Sequence, residues 1–212
     1  METNQRKVPE VVVKRLPRYY RYLSELDKKD ISRISSNALS KLMNVTASQI
    51  RQDLNCFGGF GQQGYGYNVK QLREEIGSIL GLYDGDTMII VGAGNMGRAL
   101  ANHETFGRRG FKLVGIFDID EKVIGTSVCG IKVMSSENMS DFVKENKVDI
   151  AILALPSSAV DQTAKVLVKS GIRGIMNFSY CELDVPDTIP VENIHLSDSL
   201  MTLAYRLKGH EQ

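Results

Sequence analysis

The fold is decided by one stretch of this sequence, Thr87-Met88-Ile89-Ile90-Val91-Gly92-Ala93-Gly94-Asn95-Met96-Gly97. It begins with an apolar run typical of a buried strand and continues as a GxGxxG turn that opens a helical run. Gly92 permits a tight turn, Gly94 lets the backbone approach a pyrophosphate, and Gly97 lets the helix pack close to the strand. Since a helix N-terminus attracts anionic phosphates, we predict a dinucleotide site. Its candidate residues are Gly92, Ala93, Gly94, Asn95, Met96 and Gly97.

A second predicted strand supplies the acid that such a site needs. Lys112–Phe117 is mainly apolar and is followed directly by Asp118. This fold places an acid roughly 20 residues past the glycines, where it binds the adenosine ribose. We expect the Asp118 carboxylate to accept both ribose hydroxyls and to repel a 2′-phosphate, which favours NADH and NAD+ over their phosphorylated counterparts.

The alternation of strands and helices continues beyond Asp118. Asp149–Leu155 and Gly174–Phe178 are predicted to be buried strands, and Ala159–Lys169 the helix between them. The predicted class is therefore α/β, with a Rossmann-type doubly wound parallel sheet. Since this architecture binds ligands at the carboxyl ends of its strands, Pro156, Asn177 and Phe178 are expected beside the nicotinamide. Alternatively, Pro156 only ends a strand.

The residues before this sheet predict a helix-turn-helix. Pro9–Lys29 carries apolar residues at helical spacing and fits one long helix or two short ones, with Pro17 as the joint. Ser35-Ser36 offers an N-cap for a short helix. Thr46–Gln49 matches a capping box, in which the threonine oxygen and the glutamine side chain satisfy each other's backbone amides. A helix that begins at Ala47 is then expected to enter the DNA major groove.

One face of this recognition helix and the loop after it are predicted to meet DNA. Ile50, Leu54 and Phe57 recur at helical spacing and are expected to face the core. The opposite face carries Ser48, Gln49, Arg51 and Gln52. The following segment, Gly58–Tyr67, interleaves five glycines with aromatic residues, which favours a hairpin wing over a flexible linker. These features predict a winged helix-turn-helix.

Composition excludes several other classes of protein. The net charge is only +1, yet six of the residues between Arg6 and Arg21 are basic and one is acidic, so the start of the chain predicts a basic patch. The three cysteines have neither disulfide nor zinc spacing, and we expect no metal site. No apolar run approaches the roughly 20 residues of a membrane helix, and Met1–Lys7 lacks a signal-peptide core. We therefore expect a cytoplasmic protein without membrane association.

Together these residues resemble the Rex family of bacterial redox-sensing transcriptional repressors. The resemblance spans nearly the whole chain and depends on the order of the motifs. They are Arg15–Tyr19, Ile34–Ser36, Gln49–Leu54, Phe57–Tyr67, Val91–Asn95, Phe117–Asp118, Asn177–Phe178 and the hydrophobic run Leu200–Leu207.

The resemblance implies a homodimer in which the C-terminal helices, about Ser197–Lys208, swap between protomers. It implies repression of fermentative and anaerobic respiratory genes through palindromic double-stranded operators that are bound when NADH is low and released when NADH rises. The dinucleotide domain then serves as a sensor, and we expect no enzyme activity. The DNA contacts that we predict are Lys14, Arg15, Ser48, Gln49, Arg51, Gln52, Tyr65, Gly66 and Tyr67.

Three positions depart from the family pattern. Gln52 stands where a lysine is usual in the recognition helix. His103, a further candidate cofactor residue, stands where a tyrosine is usual near the nicotinamide, and His195 stands where an aspartate pairs with the arginine that Arg21 matches. That pair cannot form here. If the histidines line the site, their titration near a pKa of about 6.5 would make NADH sensing pH-dependent; otherwise they are exposed or locally hydrogen-bonded.

We therefore divide the chain into a winged-helix DNA-binding domain over residues 1–82, a Rossmann NAD(H)-binding domain over residues 83–195 and a C-terminal swapped helix over residues 196–212. The predicted function is that of a repressor that reports the NADH/NAD+ ratio. Two alternatives stay open at this point: an NAD-dependent dehydrogenase, and a dimeric repressor that answers to another nucleotide.

Overall fold

The computed structural model describes residues 8–58, 61–62 and 65–209, with only the backbone of residues 61–62. The chain forms two compact units, Met1–Tyr83 and Asp84–Gln212. The boundary between them lies one residue beyond the predicted boundary at residue 82. Arg6 and Lys7 of the predicted basic patch lie outside the described residues, as do Gly59, Phe60, Gln63 and Gly64 of the predicted wing.

The described part of the first unit combines five helices with a small antiparallel sheet. Its elements are α1 (Glu10–Val13), α2 (Leu16–Asp27), β1 (Arg33–Ile34), α3 (Ser36–Met43), α4 (Ala47–Asn55), β2 (Gly61–Gln62), β3 (Gly66–Asn68) and α5 (Val69–Ile79). The predicted segment Pro9–Lys29 is thus two helices, and Pro17 lies in the first turn of the second, where its missing N–H removes no helical hydrogen bond.

Side-chain caps define the helix-turn-helix formed by α3 and α4. The Ser35 side chain accepts the Ala38 amide, Asn44 ends α3 in the left-handed region at φ 50°, and the Thr46 side chain accepts the Gln49 amide. Of the two hydrogen bonds of the predicted capping box, the one from the Gln49 amide to the Thr46 side chain forms and the reciprocal one does not. The Gln49 side chain donates forward to Asp53 (2.8 Å) rather than accepting the Thr46 amide, because a hydrogen bond to an ionised carboxylate is stronger than one between two neutral groups.

The sheet of the first unit forms the wing. Its strand order is β1-β3-β2, with both pairs antiparallel. Gly66 has φ +72°, and a Cβ there would lie 2.6 Å from the Ile34 carbonyl oxygen, so the position requires glycine. This backbone reverses the side-chain direction: Tyr65 is exposed, whereas Tyr67 packs in the core with Ile34. The prediction of Tyr67 as a wing contact is therefore corrected.

The core of the first unit holds the recognition helix in place. Ile50 and Leu54 of α4 are buried and Phe57 is partly buried, as their spacing predicts. They pack among buried side chains of α2, α3 and α5, which are Leu16, Tyr19, Leu23, Leu26, Leu39, Met43, Val69, Leu72 and Ile76. The opposite face of α4 is left to water.

The second unit is an α/β sandwich around one large sheet. Its elements are β4 (Thr87–Val91), α6 (Asn95–Ala101), α7 (Thr105–Arg108), β5 (Lys112–Asp118), β6 (Ser127–Val128), β7 (Ile131–Ser135), a 3-10 turn (Ser136–Asn138), α8 (Met139–Asn146), β8 (Ile150–Leu153), α9 (Ser157–Lys169), β9 (Gly174–Asn177), β10 (Val191–Asn193) and α10 (Leu196–Leu207). The sequence did not predict β6, β7, α8 or β10.

The strand order of this sheet is β10-β9-β8-β4-β5-β7-β6. Every pair is parallel except β6–β7, which adds one antiparallel edge strand. If the six parallel strands are numbered along the chain, their order is the 3-2-1-4-5-6 of the Rossmann fold. The order reverses between β4 and β8, which makes the carboxyl ends of these two strands the expected ligand crevice.

Helix α10 differs from the other long helices of this unit because none of its residues is buried. Its exposed apolar side chains are Leu196, Leu200, Met201, Leu203, Tyr205 and Leu207. Within the described ranges, no helix is both long and apolar enough to cross a membrane.

The three glycines of the GxGxxG turn have three different environments. Gly92 has φ +100°, and a Cβ there would overlap the Ala154 carbonyl oxygen. A Cβ at Gly97 would overlap the Gly92 carbonyl oxygen, so α6 can approach β4 only with glycine at this position. Nothing lies within 4 Å of a Cβ at Gly94, which faces open space.

We predict that Gly97→Ala destabilises the second unit by about 1–2 kcal/mol. Overpacking costs about 1–3 kcal/mol, and the better helix propensity of alanine returns only about 0.5–1 kcal/mol. Gly94→Ala is the matched control and should shift the free energy of unfolding by less than about 0.5 kcal/mol. Urea unfolding followed by circular dichroism measures both; equal midpoints for the two variants would contradict the prediction.

Candidate dinucleotide and nucleic-acid sites

The loops that follow β4, β5 and β8 meet at the carboxyl edge of the sheet. The Gly92 amide donates to the Phe117 carbonyl (2.8 Å), and the Ala154 amide donates to the Val91 carbonyl (2.9 Å). Gly94 caps the N-terminus of α6, where free backbone amides face the edge. The structure thus brings the predicted glycine turn, Asp118 and the loop before Pro156 together.

Asp118 is fixed by three backbone amides. Its Oδ2 accepts the Ala93 amide (2.6 Å), and its Oδ1 accepts the amides of Ile119 (2.7 Å) and Asp120 (2.9 Å). An ionised carboxylate has about four lone-pair positions. One is left for a ribose hydroxyl, which is fewer than the two hydroxyls expected from the sequence, and the side chain also ties the glycine turn to the end of β5.

Arg98 is a site residue that sequence reasoning missed. Its Nε donates to the Ala93 carbonyl (2.8 Å), and its Nη2 lies 3.4 Å from the Thr126 hydroxyl. The guanidinium therefore holds the carbonyl side of the glycine turn while Asp118 holds the amide side. The only signal in the sequence is that Arg98 directly follows Gly97. A basic residue inside a helix is too common for this position to have been informative.

The residues expected near the nicotinamide divide into two groups. Pro156 lies between β8 and α9, as the N-cap residue of α9. Phe178 follows β9, is partly buried and packs against the cluster of Met88, Ile90 and Ile152. Asn177 is fully buried. Its amide nitrogen donates to the Cys181 carbonyl (2.9 Å) and to Asn193 Oδ1 (2.8 Å), and its oxygen accepts the amide and hydroxyl of Ser179. It has a structural role, and its contact with a cofactor stays a prediction.

The two histidines that depart from the family pattern each have an aromatic neighbour in their own unit. His103 is exposed after the C-terminal end of α6, with its ring centroid 5.0 Å from that of Phe106. His195 directly precedes α10. Its ring stacks on Tyr180 at 6.0 Å, its Nδ1 lies 3.6 Å from Asp198 Oδ2, and its Nε2 is buried without a partner among the described residues.

The recognition helix presents Ser48, Arg51 and Gln52 to water, as predicted, whereas Gln49 is half-buried. Nη1 of Arg51 donates to the Ser36 hydroxyl at the start of α3 (3.1 Å), an exposed contact. On the wing, the guanidinium of Arg33 lies over the exposed ring of Tyr65 at 5.9 Å. Arg33 was not among the predicted contacts.

A buried carboxylate underlies this helix. Asp53 accepts Nε and Nη2 of Arg15 (2.7 Å each), the Tyr19 hydroxyl (2.8 Å) and Nε2 of Gln49 (2.8 Å). Burial alone would raise the pKa of Asp53, but these hydrogen bonds outweigh it and hold the pKa below its ordinary value. The sequence offered one signal that we did not use, an acid placed between the core positions Ile50 and Leu54.

Asp53 changes the expected role of Arg15. The fork of this guanidinium binds the carboxylate in a two-point contact, so Arg15 fastens α2 to α4. Its contact with a DNA phosphate stays a prediction. Lys14 pairs with Glu10 on the surface (2.7 Å), and two further basic side chains, Arg18 and Arg21, each lie 5.8 Å from the Tyr22 ring.

Comparison with known proteins assigns both units. Residues 7–55 match the family described as "Putative DNA-binding protein N-terminus", and residues 84–181 match the CoA binding domain family. The redox-sensing transcriptional repressor Rex of Thermoanaerobacter pseudethanolicus is 54% identical over 205 residues, which cover 97% of this chain and 92% of the relative.

Two solved structures of a Rex-family repressor called RSP are similar over nearly the whole chain. RSP in complex with β-NAD+ and operator DNA has 53% identity and a TM-score of 0.91, covering 95% of this chain and 93% of that one. RSP in complex with β-NADH has 50% identity and a TM-score of 0.89, covering 96% and 95%.

We predict that the stability supplied by Asp53 disappears in acid. A folded-state pKa below the unfolded value of about 3.9 stabilises the protein at higher pH, and this stability is lost as the pH falls through the folded pKa. At pH 7, Asp53→Asn should cost about 3 kcal/mol, near the lower limit for breaking a buried ion pair because Arg15 is partly exposed.

The difference in free energy of unfolding between wild type and Asp53→Asn should therefore shrink between pH 6 and pH 3. Urea unfolding at each pH measures it. Glu25→Gln, at an exposed position of α2, is the control and should change stability little throughout. A difference between wild type and Asp53→Asn that is constant with pH would contradict the prediction.

Proposed function

Because this chain belongs to the Rex family of redox-sensing transcriptional repressors, we propose that it binds operator DNA and leaves it when NADH binds. The observation that carries the proposal is the presence, in one chain, of a recognition helix with a polar outer face beside a wing, and of a GxGxxG turn joined to Asp118. The relatives are named as repressors, so the dinucleotide unit is that of a regulator and not of an enzyme.

The proposed NADH site lies at the carboxyl edge of the large sheet. The open space at Gly94 and the amides at the start of α6 would receive the pyrophosphate, beside Gly92, Ala93, Asn95, Met96 and Gly97. Asp118 would accept one ribose hydroxyl. The nicotinamide would lie toward Pro156 and Phe178, and apolar surroundings there favour the uncharged reduced ring over the cationic oxidised ring.

The proposed DNA surface consists of the outer face of α4 and the wing. Arg51 and Gln52 would reach base edges or phosphates in the major groove, with Ser48 and Gln49 beside them. Tyr65 and Gly66 would meet the phosphate backbone with Lys14 and Arg15. Gln52 carries no charge where the family usually has lysine, so one phosphate contact is weaker in this chain.

The proposed dimer uses the apolar face of α10, whose leucines would swap onto a second copy of the chain. A palindromic operator requires two recognition helices about 34–36 Å apart, one turn of DNA. NADH needs only to disturb that separation, and a nearly complete switch requires about 5.5 kcal/mol of difference in its affinity for the two states. We place this activity in the cytoplasm, where operators and NADH are both found.

We predict that NADH releases DNA at a concentration at least about tenfold below that of NAD+, equivalent to about 1.4 kcal/mol. The measurement is fluorescence anisotropy of a labelled palindromic duplex, selected from random-sequence DNA by the wild-type protein, at fixed salt. Gly94→Ala should bind the duplex normally and respond weakly, because its methyl group takes the space open to the pyrophosphate.

Other results of this titration would be equally decisive. Release by coenzyme A but not by NADH would make the chain a repressor that answers to another nucleotide. DNA binding that ignores every nucleotide would leave a repressor without redox sensing. Failure to bind any duplex would favour the alternative function, that of an NAD-dependent dehydrogenase.

We predict that Leu203→Glu dissociates the dimer, because a carboxylate on the apolar face of α10 would be buried without a partner. Light scattering should report the mass of one chain, and operator affinity should fall by about 100-fold or more as two-site binding is lost. Thr202→Glu is the control, because Thr202 lies with Asp198 and Arg206 on the polar side of the same helix, and this variant should remain dimeric. A dimeric Leu203→Glu would refute this interface.

A further inference from the structure

On the recognition face of α4, the side-chain amide of Gln49 is held by a buried carboxylate of the same helix, Asp53. Its Nε2 donates to Asp53 Oδ1 at 2.8 Å, and the same carboxylate is held by Arg15 and Tyr19. Because an ionised carboxylate only accepts hydrogen bonds, the amide nitrogen of Gln49 must face Asp53. The orientation of the amide is therefore determined.

The other end of this amide is free. Among the described residues, nothing donates to Gln49 Oε1, and this oxygen is not among the buried polar atoms that lack a partner. It is thus in contact with water, on the half-exposed side of α4 between the outward residues Ser48 and Gln52. The polar face of the helix presents a hydrogen-bond acceptor at this point.

We propose that Asp53 sets the hydrogen-bond polarity of the recognition helix, so that Gln49 selects a base with an exocyclic amino group in the major groove. The proposal rests on the DNA-binding function proposed above. In the major groove, only the N6 amino group of adenine and the N4 amino group of cytosine donate, whereas guanine N7 and O6 and thymine O4 accept. A fixed carbonyl oxygen pairs only with the donors.

Gln52 is the natural comparison on the same helix. It is exposed, and no side chain in the described part of the unit holds its amide, so this amide can turn either end toward a base. Asp53 is therefore a positioning residue, and Gln49 and Gln52 differ in specificity although their side chains are identical. Gln52 can turn either end of its amide toward a base edge, whereas Gln49 always directs its Oε1 acceptor away from Asp53.

Double-mutant cycles between protein and DNA test this proposal. The probe is the duplex selected from random-sequence DNA by the wild-type protein. At each half-site position, adenine is replaced by unsubstituted purine or cytosine by pyrimidin-2-one, which removes the amino group, and purines are replaced by their 7-deaza forms, which removes N7. Wild type, Gln49→Ala and Gln52→Ala are measured on every duplex by anisotropy.

Deleting one particular amino group should weaken wild-type binding by about 3- to 10-fold, the value of one hydrogen bond, and should leave Gln49→Ala unaffected. Gln52→Ala should keep the full loss at that amino group. Asp53→Asn should reduce the coupling between Gln49 and the amino group, because an asparagine can turn its own amide. Tyr19→Phe, which leaves the Gln49–Asp53 bond in place, should preserve the coupling.

If Gln49 couples only to N7 atoms, or to no base, the proposal is overturned; this result needs only wild type and Gln49→Ala, so it holds even if Asp53→Asn does not fold. The proposed function would still stand if wild type binds the duplex and releases it with NADH. Should the wild-type protein bind no duplex at all, the proposed function and this inference fail together.

Discussion

The carboxylate of Asp53 lies beneath the recognition helix almost without contact with water, and a buried charge persists only where opposite charge and donors surround it. Here the donors come from Arg15 and Tyr19 at the start of α2 and from Gln49 on α4 itself. A well-packed apolar cluster could provide as much stability. What an apolar cluster could not provide is a directional contact with the Gln49 amide, which decides which end of that amide faces outward.

The second unit uses a comparable device at its own site. Asp118 and Arg98 hold the two sides of the glycine turn through the amide and the carbonyl of one residue, Ala93. The turn is thereby shaped before any ligand arrives, and a preorganised site loses less of its binding energy to ordering. The acid expected only to bind ribose is therefore also part of the frame.

The sequence predicted the parts of the structure that local chemistry determines. The caps at Ser35 and Thr46 and the strand–turn–helix around Gly92 follow from preferences that act over a few residues. Prediction failed where distant partners decide. Gln49 bonds to Asp53, a carboxylate that Arg15 and Tyr19 hold from another part of the chain, and Tyr67 faces inward because it pairs and packs with Ile34. The short strands β6 and β10 exist only through their pairing with β7 and β9.

The exposed leucines of α10 have a consequence for genetics. In the proposed dimer, this helix would recruit a subunit into the repressor, whereas a different unit of the chain would read the DNA. A mutant subunit with a damaged recognition helix would still pair with a normal subunit. The resulting dimer would have one functional recognition helix instead of two. Such an allele would behave as dominant negative, whereas an allele that damages α10 would be recessive, because its product never enters the dimer.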